Sequence, residues 1–242
     1  MLKLMRGELY RLLHKKSMYI YFGALAVTYA LVVYVRSGGF SAQSVVSDAM
    51  NFFNFLPALA GGFLFAALYT DDLNSKNLIA LVGFGVSKTK IVVTRFILMA
   101  LLSALVFALV PLFHGMLYTL LGWAPAQVAW TTIYAASLKY FLMTVAFAAL
   151  AGIVVYGLQR TTFSMVLYIL LAFNVVSGLI TVVLKTFAPN LSNYLMASIS
   201  DRIMLAAMGS GSLVTPIVLY VAYVACAGAL SVLAFHKKEM EF

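Results

Sequence analysis

Long apolar runs separated by short polar segments set the pattern of this chain. A helix needs ~20 predominantly apolar residues to cross the hydrocarbon core of a bilayer. Six segments fit this requirement, at residues 18–35, 52–69, 91–118, 132–158, 163–184 and 213–235. The pattern predicts an all-α fold, a polytopic membrane protein whose single transmembrane domain covers residues 1–242.

The first sixteen residues, 1–16, have an amphipathic helical pattern. Apolar positions share one face, and basic positions lie around the other. The apolar set is Leu2, Met5, Leu9, Leu12 and Leu13, and the basic set is Lys3, Arg6, Arg11, His14 and Lys15. Such a helix lies in the membrane interface with its basic side toward anionic headgroups. The alternative is a basic flank that only sets the topology.

The polar segment between the second and third spans is longer than a hairpin turn requires. Asp71 or Asp72 can cap a short helix, and an apolar face follows at Leu78, Ile79 and Val82. Gly83 and Gly85 are typical of a helix C-terminus, and Ser87 can begin the next helix. The pattern predicts a short helix over residues 72–83, with a solvated tether as the alternative.

Charge orients the spans. The chain has 16 Lys and Arg against 7 Asp and Glu, a net charge of +9, yet only 10% of its residues are charged and 64% are hydrophobic. This balance favours a bilayer protein over a nucleic-acid-binding protein. With both termini in the cytoplasm, most basic residues fall on the inner side, as in cell-membrane proteins. The exceptions are Arg36, Lys185 and Arg202 outside, and Lys139 within a span.

Polar and small residues recur at helical spacing in two spans. The second span carries Asn51, Asn54, Ala58, Gly61, Gly62 and Phe65, and the fifth carries Asn174, Ser177, Gly178 and Thr181. These stripes predict either close helix packing or contact with a substrate. Lys139 is costly within the membrane, so it serves function or extends toward the outer interface. His114 is interpreted as a satisfied polar residue.

No enzyme site emerges from the residue pattern. The segment Gly83–Thr89 lacks the glycine that a P-loop places before its lysine. Ser210, in the predicted loop Gly209–Ser212, has no base placed beside it. There is no metal-ligand spacing and no carboxylate pair for acid–base catalysis. Cys226, the single cysteine, lies in an apolar run and is expected to be buried. We expect no catalysis, metal or cofactor in this chain.

The connector resembles that of ABC transporter type-2 permeases. In that family an acidic residue ends the second span, a short coupling helix follows, and Gly-x-Ser-Arg/Lys-x-x-Ile opens the third span. The matching residues are Asn77-Leu78-Ile79 and Gly85-Val86-Ser87-Lys88-Thr89-Lys90-Ile91. Residues 1–16 resemble the family's elbow helix, and Phe235–Met240 resembles its usual C-terminal ending. Many members carry a Gly-Thr pair where this chain has Asn74-Ser75-Lys76.

The resemblance implies two six-span permeases and two separate ATPase subunits. It is strongest to permeases that export antimicrobial and toxic peptides, such as bacitracin, lantibiotic and phenol-soluble modulin systems. ATP and Mg²⁺ would bind only in the cytoplasmic ATPase. The residues implied in coupling are Asp71, Asp72, Lys76, Asn77, Leu78, Ile79, Val82, Gly83, Gly85, Ser87 and Lys88.

The leading hypothesis is therefore the permease subunit of an ATP-driven exporter of amphipathic peptides or another hydrophobic substrate. Its partners would be the ATPase, a second permease as homodimer or related heterodimer, and the lipid bilayer. The two polar stripes would border the dimer interface. The alternatives are an ion-coupled secondary transporter and, third, a membrane-embedded enzyme. The secondary transporter is disfavoured because the predicted spans hold no clear Asp or Glu.

Overall fold

The computed structural model describes residues 1–35, 41–70, 77–121 and 129–237. These residues form helices and short turns, without a strand. The elements are α1 Leu2–Leu13, α2 Lys16–Val35, α3 Ala42–Leu56, a π-helical turn Pro57–Gly61, α4 Gly62–Phe65, a second π-helical turn Ala66–Thr70, α5 Asn77–Gly83, α6 Lys88–Leu120, α7 Trp130–Leu158, α8 Thr161–Ala172, α9 Val175–Phe187, a 3₁₀ turn Pro189–Tyr194, α10 Met196–Ala207 and α11 Val214–Lys237.

Five helical segments in the described residues are long and apolar enough to cross a membrane. They are Lys16–Val35, Gln43–Tyr69, Lys88–Leu120, Trp130–Leu158 and Val214–Lys237. The pair α8 and α9 makes a sixth if it is one broken span. The all-α prediction is confirmed for the described residues, and these helices have the length and apolar composition that a multi-pass membrane protein requires.

The span predicted over residues 163–184 corresponds to two helices, α8 and α9, separated by a sharp break. The chain bends by 60° between α8 and α9. Asn174, at the break, has a φ of 57°, a left-handed conformation that Asn tolerates better than most residues. Its side-chain Oδ1 accepts a hydrogen bond from Ser177 Oγ at 3.1 Å. Asparagine therefore ends one helix and begins the next inside an apolar run.

The second span begins ten residues before the predicted start at 52, since α3 starts at Ala42. A capping box fixes this start: Ser44 N donates to Ser41 Oγ at 3.1 Å, and Ser41 N donates to Ser44 Oγ at 2.8 Å. Reciprocal bonds of this kind satisfy the free donors of the first turn. Because the first turns of α3 contain polar residues, a count of apolar residues misses them. Asp48 therefore lies inside the helix and not in the loop before it.

Helix α7 is the centre of the bundle. Helices α3, α6, α8, α10 and α11 pack around it. Its buried face is rich in small residues, among them Ala136, Ala148, Ala151 and Gly152. Small side chains let neighbouring backbones approach closely, which is how helices gain packing energy in lipid. Helix α7 thus organises the described part of the chain.

Helix α10 lies between the fifth and sixth predicted spans, where the sequence predicted no helix. It packs on α7 through Met196, Ile199, Ser200 and Ile203, which are buried. Their spacing is that of one face of an amphipathic helix, so the sequence does indicate a helix here. With 12 residues, this helix is too short to be counted as a span. The turn after α10 has Gly209 at φ 87° and Gly211 at φ 103°, as expected for the predicted Gly209–Ser212 loop.

An ion pair ties α10 to α7. Lys139 Nζ lies 2.6 Å from Asp201 Oδ1, with side chains 19% and 47% exposed. A double-mutant cycle with Lys139→Met and Asp201→Asn is expected to give a coupling free energy of unfolding of about 1 kcal/mol, since a half-exposed pair contributes little more. Thermal unfolding of the detergent-solubilised variants measures it. Arg202→Met, an exposed neighbour, is the control, and strictly additive single effects would contradict the pairing.

Candidate functional site

The candidate site is the connector between the second and third spans, residues 71–87. Asp71, Asp72 and Lys76 lie outside the described residues. Of the helix predicted over 72–83, the structure describes α5, Asn77–Gly83. The side chains of Asn77, Leu78 and Ile79 also lie outside the described part of the chain. The part of the site that has a described geometry is therefore the C-terminal half of the connector and its attachment to the bundle.

The C-terminus of α5 is held by a specific turn. Gly85 has a φ of 78°, Val86 N donates to Leu81 O at 3.1 Å, and Gly85 N donates to Val82 O at 2.9 Å. This pair of bonds around a left-handed glycine is a Schellman motif. The glycine stop predicted from the sequence is confirmed.

The same turn divides its apolar side chains into two groups. Leu81, Val82 and Val86 are partly buried and pack against the hydrophobic core. Phe84 points away and is 85% exposed. A large aromatic side chain held out on an ordered turn is typical of the anchor residues of protein interfaces.

The exit of the connector is tied to the last helix. Ser87 caps α6, its Oγ accepting from Lys90 N at 3.4 Å, as predicted. Lys88 Nζ donates to Phe235 O at 3.0 Å and lies 5.3 Å from the centroid of the Phe235 ring. A cation at free carbonyls near a helix C-terminus is a favourable arrangement.

A buried aromatic cluster lies where the second span ends and the third span begins. Its members, which we call the aromatic cluster, are Phe65, Tyr69, Tyr156, Tyr168 and Phe235. The Phe235 and Tyr156 rings lie 4.9 Å apart, and those of Tyr156 and Tyr69 lie 6.1 Å apart. Phe65 stacks on both Tyr69 and Tyr168, with ring centroids 4.8 Å apart in each pair.

The cluster joins the second span to α7, α8 and α11. Tyr69 is the last residue of the second span, and Lys88 contacts Phe235 where the third span begins. Arg95, about two turns further into α6, is 1% exposed and acts electrostatically on Tyr69. A displacement of the connector would therefore reach several helices through packed rings, which transmit strain because protein interiors are dense.

The polar stripe of the second span divides in two. Asn51 and Asn54 are exposed and Ala58 is half-buried, whereas Gly61 and Gly62 lie in the buried part of the stripe with Phe65. A Cβ added at Gly61 would lie 2.2 Å from Tyr168 Oη and 2.7 Å from Thr144 Cγ2. The buried half of the stripe is thus a close crossing with α7 and α8.

Tyrosines from two helices satisfy carbonyls of the first π-helical turn. Tyr168 donates its hydroxyl hydrogen to Pro57 O at 2.8 Å, and Tyr21 donates to Leu59 O at 3.0 Å. A π-helical turn disturbs the regular helical bonding, and a proline lacks a donor. The second span is therefore irregular where α2 and α8 contact it.

The stripe of the fifth span lies at and after the helix break. Asn174, Ser177 and Thr181 lie along this segment, and Ser177 and Thr181 are half-buried. Ser177 Oγ donates to Asn174 Oδ1, and Thr181 Oγ1 donates to Ser177 O at 2.6 Å. Because these bonds stay within the local chain, they stabilise the bend.

A buried polar cluster in α2, α3 and α6 escaped the sequence analysis. Tyr29 Oη hydrogen-bonds His114 Nδ1, and Tyr118 donates to Asp48 Oδ2 at 3.3 Å. Asp48 is 9% exposed, and His114 and Tyr118 are fully buried. The expectation that the spans hold no acidic residue is wrong, because Asp48 lies in the segment Gln43–Tyr69.

His114 is only partly satisfied. Its Nδ1 pairs with Tyr29, and the Val45 backbone lies close to the ring. Nε2 has no hydrogen bond of good geometry to any residue that the structure describes. The sequence does contain a signal for this cluster. If the second span is started at the N-cap Ser41, Asp48 falls inside the span and indicates a buried polar site.

Two further residues singled out from the sequence have described surroundings. Lys139 is not an isolated charge, since it pairs with Asp201. Cys226 is exposed on α11, so its expected burial is wrong; an apolar run in a membrane helix has an outward face as well as a packed one. In the described ranges, no group of three or more His, Cys, Asp or Glu could hold a metal ion.

Comparison with known proteins adds no family to this geometry. No protein-family model matches the chain. No curated protein matches it either.

Proposed function

We propose that this chain is the permease subunit of an ATP-driven ABC exporter that works with a separate cytoplasmic ATPase. The chain itself performs no catalysis, and ATP with its Mg²⁺ binds in the partner. A second permease, identical or related, completes the transport unit in the cell membrane.

One observation carries the proposal. The connector exposes Phe84 on a turn whose other apolar side chains, Leu81, Val82 and Val86, pack against the hydrophobic core. The Schellman turn fixes the direction of Phe84, and Lys88 fixes the exit of the connector on α11. An unsupported loop would yield to a push from a partner. This turn can pass the push into the aromatic cluster.

The coupling follows from that attachment. Closure of the ATPase subunits on ATP moves the connector, and the second and third spans move with it. Because the aromatic cluster touches α7, α8 and α11, the movement spreads through the protomer. The permease pair then changes the side from which its path is open.

The cargo path is proposed along the exposed part of the second span. Asn51 and Asn54 offer amides there, and Tyr140 donates to Asn54 Oδ1 at 3.4 Å. Exposed aromatic and aliphatic side chains, such as Phe55 at 49% exposure, suit an amphipathic peptide or another hydrophobic substrate. Ala58 and the stripe of the fifth span, at Asn174 to Thr181, would border the second permease.

Replacing Phe84 tests the docking surface. Phe84→Ser is expected to reduce co-purification of the ATPase at least tenfold, since an anchor residue contributes ~2 kcal/mol or more to an interface. Quantitative pull-down of the tagged, full-length chain measures this. Phe187→Ser is the matched control, because Phe187 is 83% exposed on α9, far along the chain from the connector. Equal retention by both variants would contradict docking at Phe84.

An ion-coupled secondary transporter is the second candidate, and two observations favour it. Asp48 and His114 lie buried together with two tyrosines, and α8 and α9 form a helix pair bent by 60°. Intramembrane acids and broken helices are common in that class. Transport driven by a proton gradient without any ATPase would establish this candidate in place of the exporter.

A further inference from the structure

An apolar groove runs between α2 and α6. It encloses about 530 Å³. Most of its walls come from these two helices, including Met18, Phe22, Ala26, Leu102, Leu105 and Leu109, and the second span adds Phe52 and Leu64. The groove exists because α2 packs loosely, with only Tyr29 and Val33 buried among its residues. A Cβ added at Gly23, which also lines the groove, would meet no atom within 4 Å.

The groove has the depth of one membrane leaflet. From Met18 to Tyr29 it follows α2 for roughly 17 Å at the helical rise, slightly more than half of the ~30 Å hydrocarbon core. Tyr29 lines its far end, where the Tyr29 ring stacks on Phe52 with centroids 3.8 Å apart. An occupant would enter at the α1 end and reach about the middle of the membrane.

Positive charge stands at that entrance. Leu13 lines the groove there, and Lys15 and Lys16 follow it closely along the chain. Lys16 is exposed and Lys15 half-buried. Lys3 and Arg6 of the preceding helix are exposed as well, but at the helical rise they lie roughly 10–15 Å from Leu13, so Lys15 and Lys16 are the charges next to the entrance. Clusters of basic residues beside a membrane segment attract anionic lipid headgroups.

We propose that the groove binds one acyl chain of an anionic phospholipid, with the headgroup held at Lys15 and Lys16. The apolar walls match the tail, their depth matches one leaflet, and the lysines match the headgroup. A helix of a second copy or a hydrophobic cargo would have no need of cations at one end. The lipid would fill the space that α2 leaves and fix α2 against α6. The site is independent of the proposed exporter function.

Native mass spectrometry of the full-length protein tests the proposal. Phosphatidylglycerol and phosphatidylcholine with identical acyl chains are offered in equal amounts. We expect one phosphatidylglycerol to be retained in preference to phosphatidylcholine. Lys15→Gln with Lys16→Gln should lower that preference by about fivefold per lysine. Gly23→Leu should fill the groove and lower retention of both lipids by about tenfold, because the acyl chain loses its apolar contacts.

Matched variants keep the test decisive. Gly228→Leu in α11 is the control, since a Cβ there also meets no atom within 4 Å, and it should retain lipid as the wild type does. Ala26→Leu repeats the filling at a second position in case Gly23→Leu does not fold. Undiminished phosphatidylglycerol on the filled variants, or equal retention of both lipids by the wild type, would overturn the proposal. If the filled variants lose a dimer that the wild type forms but keep their lipid, the proposal is also overturned, and the groove is then the contact site for a second copy.

Discussion

Replacing Gly61 by Ala is expected to lower the free energy of unfolding by about 2 kcal/mol. The added Cβ would lie 2.2 Å from Tyr168 Oη and 2.7 Å from Thr144 Cγ2. Tyr168 cannot move aside without losing its bond to Pro57 O at 2.8 Å and its stacking on Phe65. Overpacking and the lost bond cost about 3 kcal/mol, and the better helix propensity of Ala returns about 1 kcal/mol.

Gly62 supplies the control within the same span. A Cβ added there would meet its nearest atom, Met165 Cε, at 3.7 Å, an ordinary contact. Gly62→Ala should leave the melting temperature unchanged or slightly raised, while Gly61→Ala lowers it by roughly 4–8 °C. Equal melting temperatures for the two variants would show that Gly61 is not a close crossing, and would return it to the candidate cargo path.

Lys88→Gln is expected to reduce ATP-driven transport about tenfold while leaving the ATPase bound. Its charged donor holds Phe235 O at 3.0 Å, and a hydrogen bond to a charged group contributes about 1.5–3 kcal/mol. Without that bond the third span can move apart from α11, so the push on the connector would be lost before it reaches the bundle. Transport per ATP hydrolysed, measured in proteoliposomes, reports this directly.

Lys90 is the matched lysine two residues further on. It is exposed, and its backbone N, not its ammonium group, caps the helix through Ser87. Lys90→Gln should therefore transport normally. If both variants transport alike, Lys88 does not carry the coupling. If Lys88→Gln releases the ATPase, the residue belongs to docking and not to transmission.

Local chemistry was sufficient to predict the start and end of several helices. Apolar length placed five spans, and Ser87, Gly83 and Gly85 marked helix ends where the structure has them. Such signals act within a few residues of themselves, through capping bonds and backbone conformation. They therefore depend little on the rest of the fold.

What the sequence concealed depends on partners distant along the chain. Asp48 resembles a loop residue until Tyr118, 70 residues away, is brought to it. Lys139 resembles an isolated charge until α10 places Asp201 beside it. The bend at Asn174 was hidden because both halves of the span are apolar. Hydropathy measures burial in lipid and is insensitive to such contacts.

The candidate site shows the same division. The glycine turn of the connector followed from its residues, whereas the exposure of Phe84 and the anchoring of Lys88 on Phe235 required the fold. No sequence rule selects Phe84 over Val86 as the outward side chain. The direction of each was set by the Schellman turn and by the core against which Val86 packs.

Site-specific cross-linking from the connector can show whether an ATPase docks on this chain. Cys226 is the only cysteine in the sequence, so Cys226→Ala gives a cysteine-free background. Ala80→Cys, on the exposed face of α5, then carries a photoreactive maleimide in cells, and Phe187→Cys carries it as the control. We expect a covalent adduct between position 80 and a P-loop ATPase without membrane spans, and none from position 187. If no such adduct forms, or if it forms equally from both positions, the connector is not the docking site of an ATPase.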